Sequence, residues 1–200
     1  GGEGGEGGEG GEGGEGQAAA FSLNAFAWGG VWYHAAWQPA CNAHAESRAA
    51  ISRAVRAARS AAVLGSSIGF EAYFLALTYG VPTVGVELLC GLVDLSEYVR
   101  RERGVPSAAL RFECADALQW PLPSDLGLVY VDDTAWDAST IEQMAARLGR
   151  ELPEGALVIH NGGEAAYAKA RRLRKLHSVA VRTSWSEAHE ILIHVVTSEQ

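Results

Sequence analysis

The stretch Ala61-Ala62-Val63-Leu64-Gly65-Ser66-Ser67-Ile68-Gly69-Phe70 is the part of the sequence that indicates the fold. Residues 61–64 form a short apolar run typical of a buried strand. Residues 70–77 space their apolar side chains as a helix does, and Gly80 follows as a stop signal. A strand, a tight glycine-containing turn and a helix make the first half of a Rossmann-type unit. The turn therefore predicts either a nucleotide-like cofactor site or simple close packing.

Acidic residues follow the next three apolar runs, each of which is predicted to be a strand. Residues 83–86 end at Glu87, about twenty residues beyond the turn, where a carboxylate accepts hydrogen bonds from ribose hydroxyls. Residues 110–114 lead into Asp116, and residues 126–131 lead into Asp132 and Asp133. Because parallel strands share one carboxyl edge, these acids are expected to lie near the turn.

The remaining segments complete an α/β pattern. Helices are predicted over residues 45–59, around Leu92, Leu95 and Val99 before Gly104, after a capping box at 139–142, and over 164–176. Further strands are predicted at 156–159, 179–183 and 191–196, with a short turn at 186–188. We therefore predict a Rossmann-like, doubly wound, mostly parallel seven-stranded sheet with an antiparallel C-terminal hairpin.

This succession of motifs resembles that of class I S-adenosylmethionine-dependent methyltransferases, over roughly residues 60–197. Within that superfamily the chain is most similar to the disruptor-of-telomeric-silencing family of histone-lysine methyltransferases. The similar segments are Val129 to Trp136 after the fourth strand and Thr183-Ser184-Trp185 before the last. The resemblance implies S-adenosylmethionine as cofactor and methyl transfer to a protein lysine or to a small molecule.

The resemblance also implies roles for individual residues. The turn would approach the amino-acid moiety of the cofactor, Glu87 would hold the ribose and Asp116 the adenine. An amine acceptor needs a carboxylate or amide to orient it, whereas a hydroxyl acceptor needs a base such as His160 or Asp132. The implied cofactor-binding residues are Gly65, Ser66, Ser67, Gly69, Glu87, Asp116, Ala117 and Asp132, and the catalytic candidates are Asp132, Asp133, His160 and Asn161.

Four residues depart from the pattern of the superfamily or family. Val63 stands where an acid is usual, Ser67 where a glycine is usual, and the Asp132-Asp133 pair where the family has two asparagines. These departures leave a second hypothesis open, a catalytically degenerate methyltransferase fold that serves as a binding or scaffold module. A nicotinamide-dependent oxidoreductase is a third, although the acid after the third strand and the terminal hairpin are not typical of it.

The N-terminal part has a different composition. Residues 1–16 repeat Gly-Gly-Glu without an apolar side chain, which predicts a disordered tail. Residues 17–59 are predicted to form an N-terminal lid and helix, because aromatic residues cluster in 20–44; the alternative is that these rings only cover an edge of the sheet. Residues 60–200 are predicted to form the methyltransferase domain.

Charge and cysteine content limit the partners and the compartment that we expect for this protein. The formal net charge is −8, of which the five glutamates of residues 1–16 supply five, so direct nucleic-acid binding is not expected. The sequence contains neither an apolar run of about 18 residues nor a signal-peptide pattern, and we expect no membrane partner. Cys41, Cys90 and Cys114 lack metal-ligand spacing and are predicted to be ordinary apolar residues in a reducing intracellular compartment, cytoplasmic or nuclear. No metal site is predicted, and the sequence does not indicate an oligomeric state.

Overall fold

The structure, a computed structural model, describes residues 45–183 and 186–198, so the predicted tail and aromatic segment lie outside it. The described residues form seven strands and five helices in alternation. The strands are β1 Ser60–Leu64, β2 Thr83–Glu87, β3 Leu110–Cys114, β4 Leu126–Val131, β5 Leu157–His160, β6 Leu173–Val181 and β7 His189–Val196. The helices are α1 Ala45–Ala57, α2 Phe70–Tyr79, α3 Cys90–Glu102, α4 Ala138–Glu151 and α5 Glu164–Lys169.

All seven strands belong to one sheet in the order β3-β2-β1-β4-β5-β7-β6. Neighbours from β3 to β5 are parallel, whereas β7 runs antiparallel to both β5 and β6. The order reverses at β1, where β2 lies on one side and β4 on the other, so the sheet has a topological switch point between β1 and β4. The predicted doubly wound sheet and its antiparallel hairpin are confirmed.

Helices cover both faces of the sheet. On one face Ala61 and Val63 of β1 pack with buried residues of α1, α2 and α3, and on the other Ala62 and Leu64 pack with α4 and α5. Because successive side chains of a strand point to opposite faces, a strand covered on both sides must be apolar throughout. This explains why β1 and β4 are uninterrupted apolar runs.

The predicted helix over residues 164–176 is wrong in its second half. Helix α5 ends at Lys169, and β6 begins at Leu173, which pairs with Val196 of β7. The turn between them includes Arg172 at φ 68°. Eight of the nine residues of β6 pair with β7, and the strand buries Leu173, Val179 and Val181, so this pairing outweighs the helical propensity of the basic segment.

Two finer predictions are also corrected. The N-cap of α4 is Asp137, whose carboxylate accepts from Thr140 N, so the cap lies two residues before the predicted Ser139. Helix α3 buries Val93 and Ser96, while Leu95 is 47% exposed. The face of α3 is set by Glu97, whose carboxylate accepts the backbone N–H of Phe112 on β3 at 2.9 Å.

The described residues contain neither a candidate membrane span nor a candidate metal cluster. None of the helices within residues 45–183 and 186–198 combines the length and the apolar character that crossing a bilayer requires. Within these ranges, His, Cys, Asp and Glu side chains do not form a group of three or more that could hold a metal ion.

Candidate functional site

The glycine-containing turn joins β1 to α2 at the carboxyl edge of the sheet. Gly65, Ser67 and Gly69 all have positive φ, at 77°, 48° and 88°. A Cβ atom on Gly65 would lie 2.9 Å from the carbonyl oxygen of Asp132, so the turn needs glycine where it passes the end of β4. The N–H groups of Gly65 and Ser66 both donate to the Val86 carbonyl, which holds the turn against the end of β2.

Glu87 contacts this turn directly. Its Oε2 accepts the N–H of Ser67 at 2.8 Å, and its Oε1 accepts the N–H of Leu89 at 3.0 Å. The carboxylate is only partly buried, and the side chains of Leu88 and Leu89 beyond it are exposed. Each carboxylate oxygen keeps a lone pair for another donor. Glu87, which is predicted to bind the ribose, therefore lies at an open edge with its carboxylate already oriented.

Asp116 lies in the loop after β3, next to the end of β2. The N–H of Ala115 donates to the Glu87 carbonyl at 3.0 Å, which ties the two segments together. The Asp116 carboxylate accepts from Leu118 N at 2.8 Å and from the side-chain amide of Gln119 at 3.1 Å. Arg147 of α4 donates to the carbonyl of Ala117 at 2.8 Å and so fixes the loop from the other side.

A disulfide joins Cys90 to Cys114 at this edge. Cys90 is the first residue of α3 and Cys114 the last of β3, and both are exposed. The prediction that they are ordinary small apolar residues is therefore wrong for this pair. The sequence separation of 24 conceals the pairing, because it depends on β2 and β3 being neighbours in the sheet. Cys41 lies outside the described residues.

Asp132 follows β4 directly and faces the turn. Its backbone N–H donates to the Leu64 carbonyl at 2.9 Å, and its Oδ1 accepts from Asn161 Nδ2 at 2.8 Å and from the Thr134 hydroxyl at 3.1 Å. Burial raises the pKa of the Asp132 carboxyl above its usual value. The residue is partly exposed, and it is the one of the four catalytic candidates that is not fully buried.

Asp133 and Asn161 lie beneath Asp132 and connect β4 to β5. Asp133 Oδ1 accepts the N–H of Asn161 at 3.0 Å, and the Asn161 side-chain oxygen accepts the Tyr130 hydroxyl at 2.6 Å. Burial raises the pKa of Asp133 to about 7. Tyr130 was not predicted as part of the site, because a tyrosine within an apolar run has the pattern of a core residue.

His160 is fully buried at the end of β5, so its ring does not reach the open edge. The ring stacks on Tyr167 of α5 with 3.5 Å between centroids, and Nε2 lies 3.1 Å from Nδ1 of His194. His160 Nδ1 contacts the Gly162 carbonyl, which only accepts, so Nδ1 carries the proton and His194 Nδ1 donates to His160 Nε2. Burial lowers the pKa of His160 to about 3 and that of His194 to about 4, so both rings are neutral at neutral pH.

Taken together, the predicted residues occupy two depths of one edge. The turn, Glu87, Asp116 and Asp132 are at or near its surface, and Trp136 lies beside Gly65, with a ring carbon 3.3 Å from the position of a Cβ there. Asp133, His160 and Asn161 form a buried layer under Asp132. Tyr167 and His194 also belong to this layer, and the sequence offers no signal that separates them from ordinary core residues.

A cavity of about 450 Å³ lies at the opposite edge of the sheet. The C-terminal half of α1 and the amino ends of β4 and β5 line it, with Arg59, Asp125 and Glu154 among the charged residues. None of the predicted site residues contributes to its wall.

No protein-family model matches the chain, and no curated protein matches its sequence. Solved structures do match its fold. An RNA methyltransferase from Salinibacter ruber, in complex with S-adenosyl-L-homocysteine, superimposes with a TM-score of 0.57 at 18% identity, covering 76% of this chain and 94% of that one.

Two further structures are similar at comparable levels. The magnesium protoporphyrin IX methyltransferase from Synechocystis PCC 6803, with bound S-adenosylmethionine, has a TM-score of 0.61 at 15% identity, covering 75% of this chain and 76% of that one. A geranyl diphosphate C-methyltransferase from Streptomyces coelicolor has a TM-score of 0.60 at 12% identity, covering 76% and 79%. The chain therefore has the seven-stranded fold of S-adenosylmethionine-dependent methyltransferases.

Proposed function

We propose that the protein is an S-adenosylmethionine-dependent methyltransferase whose cofactor binds at the carboxyl edge of the sheet. The single observation that carries the proposal is the convergence of the Gly65–Gly69 turn, Glu87 and Asp116, from three separate βα connections, on one edge. Ligands of open α/β sheets bind at this edge near the switch point. Structural neighbours that hold S-adenosylmethionine or its demethylated product support the same conclusion.

The residues at this edge fit the cofactor. In Glu87 and in Asp116, each carboxylate oxygen accepts one hydrogen bond from the protein and keeps further lone pairs. Those of Glu87 would accept from the ribose hydroxyls, and those of Asp116 from the adenine amine. Ser67 and Ala117 would line the same path, whereas Ser66 is fully buried and supports the turn through its N–H, which donates to the Val86 carbonyl. The exposed side chains of Leu88 and Leu89 offer an apolar surface beside the adenine position. The cofactor, when bound, supplies a methyl group activated on a sulfonium, and the protein's task is positioning.

Asp132 is our candidate for the residue that faces the methyl acceptor. Asn161 and Thr134 orient its carboxylate by hydrogen bonds, and it remains partly exposed beside the turn. We assign Asp133, Asn161 and His160 a positioning role, because they are buried and act on the edge through Asp132 or through the backbone of β5. His160 is buried away from the open edge, so it does not meet the geometric requirement for a base that contacts the acceptor.

We further propose a protein lysine, or alternatively a small molecule, as the acceptor, and an intracellular location, cytoplasmic or nuclear. The lysine hypothesis rests on the family resemblance around Val129–Trp136. A carboxylate such as Asp132 would attract and orient an amine acceptor, which favours nitrogen over oxygen. In a reducing compartment the Cys90–Cys114 disulfide would be reduced and re-formed reversibly.

A specific observation favours a second candidate function, a binding module without catalysis. Val63 is fully buried where the superfamily has an acid that contacts the cofactor, and Ser67 holds a left-handed conformation where glycine is usual. Val63 lies in the core directly beneath the turn, and Ser67 lies in the turn itself. The two candidates differ in whether the cofactor binds at all.

Calorimetric titration with S-adenosylmethionine, S-adenosylhomocysteine and NADH tests the proposal. We expect micromolar binding of the first two, no binding of NADH, and affinity roughly tenfold weaker in Asp116→Ala, since removing one hydrogen bond to a ligand costs on the order of 1.4 kcal/mol. The matched control is Asp125→Ala, which removes an exposed acid at the opposite edge of the sheet and should not change affinity. Absence of binding to both sulfur ligands would contradict the proposal and favour the binding module.

A further inference from the structure

The Cys90–Cys114 disulfide joins the two segments that form the adenosine side of the proposed site. The Cα atoms of the pair are 5.0 Å apart. Cys114 is the register partner of Glu87, so the bond joins the end of β3 to the start of α3, three residues beyond the end of the neighbouring strand β2. Both cysteines are exposed, and a reductant in solution therefore has access to the bond.

The bond controls the distance between groups that would contact the cofactor. Leu89, which immediately precedes Cys90, donates its N–H to Glu87 Oε1, and Ala115, which immediately follows Cys114, donates to the Glu87 carbonyl. The side chains of Leu88 and Leu89 are exposed, and the Leu89 carbonyl accepts the N–H of Leu92 in the first turn of α3 at 2.9 Å. The disulfide adds a covalent link between this segment and the loop that carries Asp116.

We propose that Cys90 and Cys114 are a reversible redox site that sets the affinity of the cofactor edge. The disulfide form holds the adenosine side pre-organised and binds the cofactor more tightly, because the ordering of residues 87–90 is not repeated at each binding event. The dithiol form releases that segment and binds more weakly. This inference rests on the proposed function, since it requires adenosine to lie between the two joined segments.

The chemistry is thiol–disulfide exchange with a dithiol reductant. One reductant thiolate attacks a sulfur of the pair, forms a mixed disulfide and displaces the other cysteine as a thiolate; the second reductant thiol then displaces the first cysteine. Two electrons and two protons pass from the dithiol to Cys90 and Cys114, and the reductant leaves as its own disulfide. Oxidation by a small-molecule disulfide such as glutathione disulfide reverses this reaction. It re-forms the Cys90–Cys114 bond and releases two thiols.

The position of Cys90 favours this exchange. It is the first residue of a 13-residue helix, where the helix dipole stabilises a thiolate as leaving group or nucleophile. Its exposed location beside Glu87 leaves the bond accessible to a reductant in solution.

The test uses the full chain with Cys41→Ser, which removes the third thiol. We expect thiol titration under native conditions to count none in the oxidised protein and two after treatment with a dithiol. Calorimetry with S-adenosylhomocysteine should give a Kd roughly tenfold larger for the reduced protein, restored after glutathione disulfide is added. The triple variant that also carries Cys90→Ser and Cys114→Ser should have the weaker affinity with or without oxidant.

Equal affinity in both redox states, tighter binding on reduction, or a bond that native protein does not release to a dithiol would each overturn the inference. If the triple variant does not fold, the reduced Cys41→Ser protein gives the same comparison without a substitution at the pair. Absence of S-adenosylhomocysteine binding in either state contradicts the proposed function and the coupling with it. Thiol counting still reports the redox reaction in that case, so the two failures are distinguishable.

Discussion

At the scale of single residues, the conformation of the β1–α2 turn decides how closely three connections approach each other. Gly65, Ser67 and Gly69 all have positive φ, a region that L-residues enter at a cost of roughly 1–2 kcal/mol. Ser67 adopts this conformation despite the cost, and its N–H donates to the Glu87 carboxylate. The serine in place of the usual glycine therefore still supports the contact that orients the predicted ribose ligand.

Gly65→Ala should lower both stability and ligand affinity. Its Cβ would lie 2.9 Å from the Asp132 carbonyl oxygen in a left-handed conformation, so either the turn or the end of β4 must move. We expect the free energy of unfolding to fall by about 2 kcal/mol or more in denaturant titration. S-adenosylhomocysteine should bind at least roughly tenfold more weakly, because displacement of the turn affects Glu87 and Asp132 together.

Ser67→Gly is the matched control for this prediction. Relief of the left-handed serine and the greater freedom of glycine in the unfolded chain offset each other, so stability should stay within about 0.5 kcal/mol of wild type. Ligand affinity should be unchanged or higher. An alanine at position 65 that leaves stability and affinity intact would contradict the assigned role of the turn.

At the scale of secondary-structure elements, a buried polar layer links β4, β5, β7 and α5. Asp133, His160, Tyr167 and His194 are its ionisable members, with Lys175 and Glu164 contributing charge from β6 and α5. Because His160 and His194 have lowered pKa values, they contribute stability that is present above about pH 6.5 and lost as the pH falls. Asp133 has a raised pKa and acts in the opposite direction, losing stability as the pH rises to about 7.

The unfolding free energy should therefore fall on acidification. As the pH falls below about 6.5 the two imidazoles lower the stability, while the raised pKa values of Asp133 and Asp132 act in the opposite direction and make the slope shallower than two imidazoles alone would give. Urea titrations at several pH values measure this slope. Asp133→Asn removes one opposing carboxyl at equal size, and the slope should then become steeper. A pH-independent free energy over this range would show that the rings are not held neutral.

Elements with an apolar run between turn signals were predicted with accurate bounds. Strands β3 and β4 begin and end at the predicted residues. Burial on both faces leaves little choice of side chain in β4, whereas β3 is an edge strand in which buried and more exposed side chains alternate. Residues 170–176 were wrongly predicted to be helical, since their basic composition suits an exposed helix as well as an edge strand. The choice is made by pairing with β7, a partner distant in the sequence.

At the scale of the whole molecule, the acidic residues and the glycine-containing turn lie at the carboxyl edge of the sheet, and the open cavity lies at the opposite edge. The sequence predicted which acids share the first edge, because parallel strands end there in a fixed order. It did not predict the Tyr130–Asn161 hydrogen bond or the Cys90–Cys114 bond. Each joins residues that are far apart in the sequence and that the order of the strands brings together. The residue types at these positions are ones that an ordinary core or surface also contains.

The most direct test of the account is to map where S-adenosylhomocysteine binds, by backbone amide chemical shifts of ¹⁵N-labelled protein. We predict saturable shifts at residues 65–69, 87–89 and 115–118, with smaller shifts at Asp132 and Thr134. Residues 153–156 and Asp125, which line the cavity at the opposite edge, should not respond. Shifts confined to that cavity, or no shifts at ligand concentrations that saturate related sites, would contradict the claim that the carboxyl edge is the cofactor site.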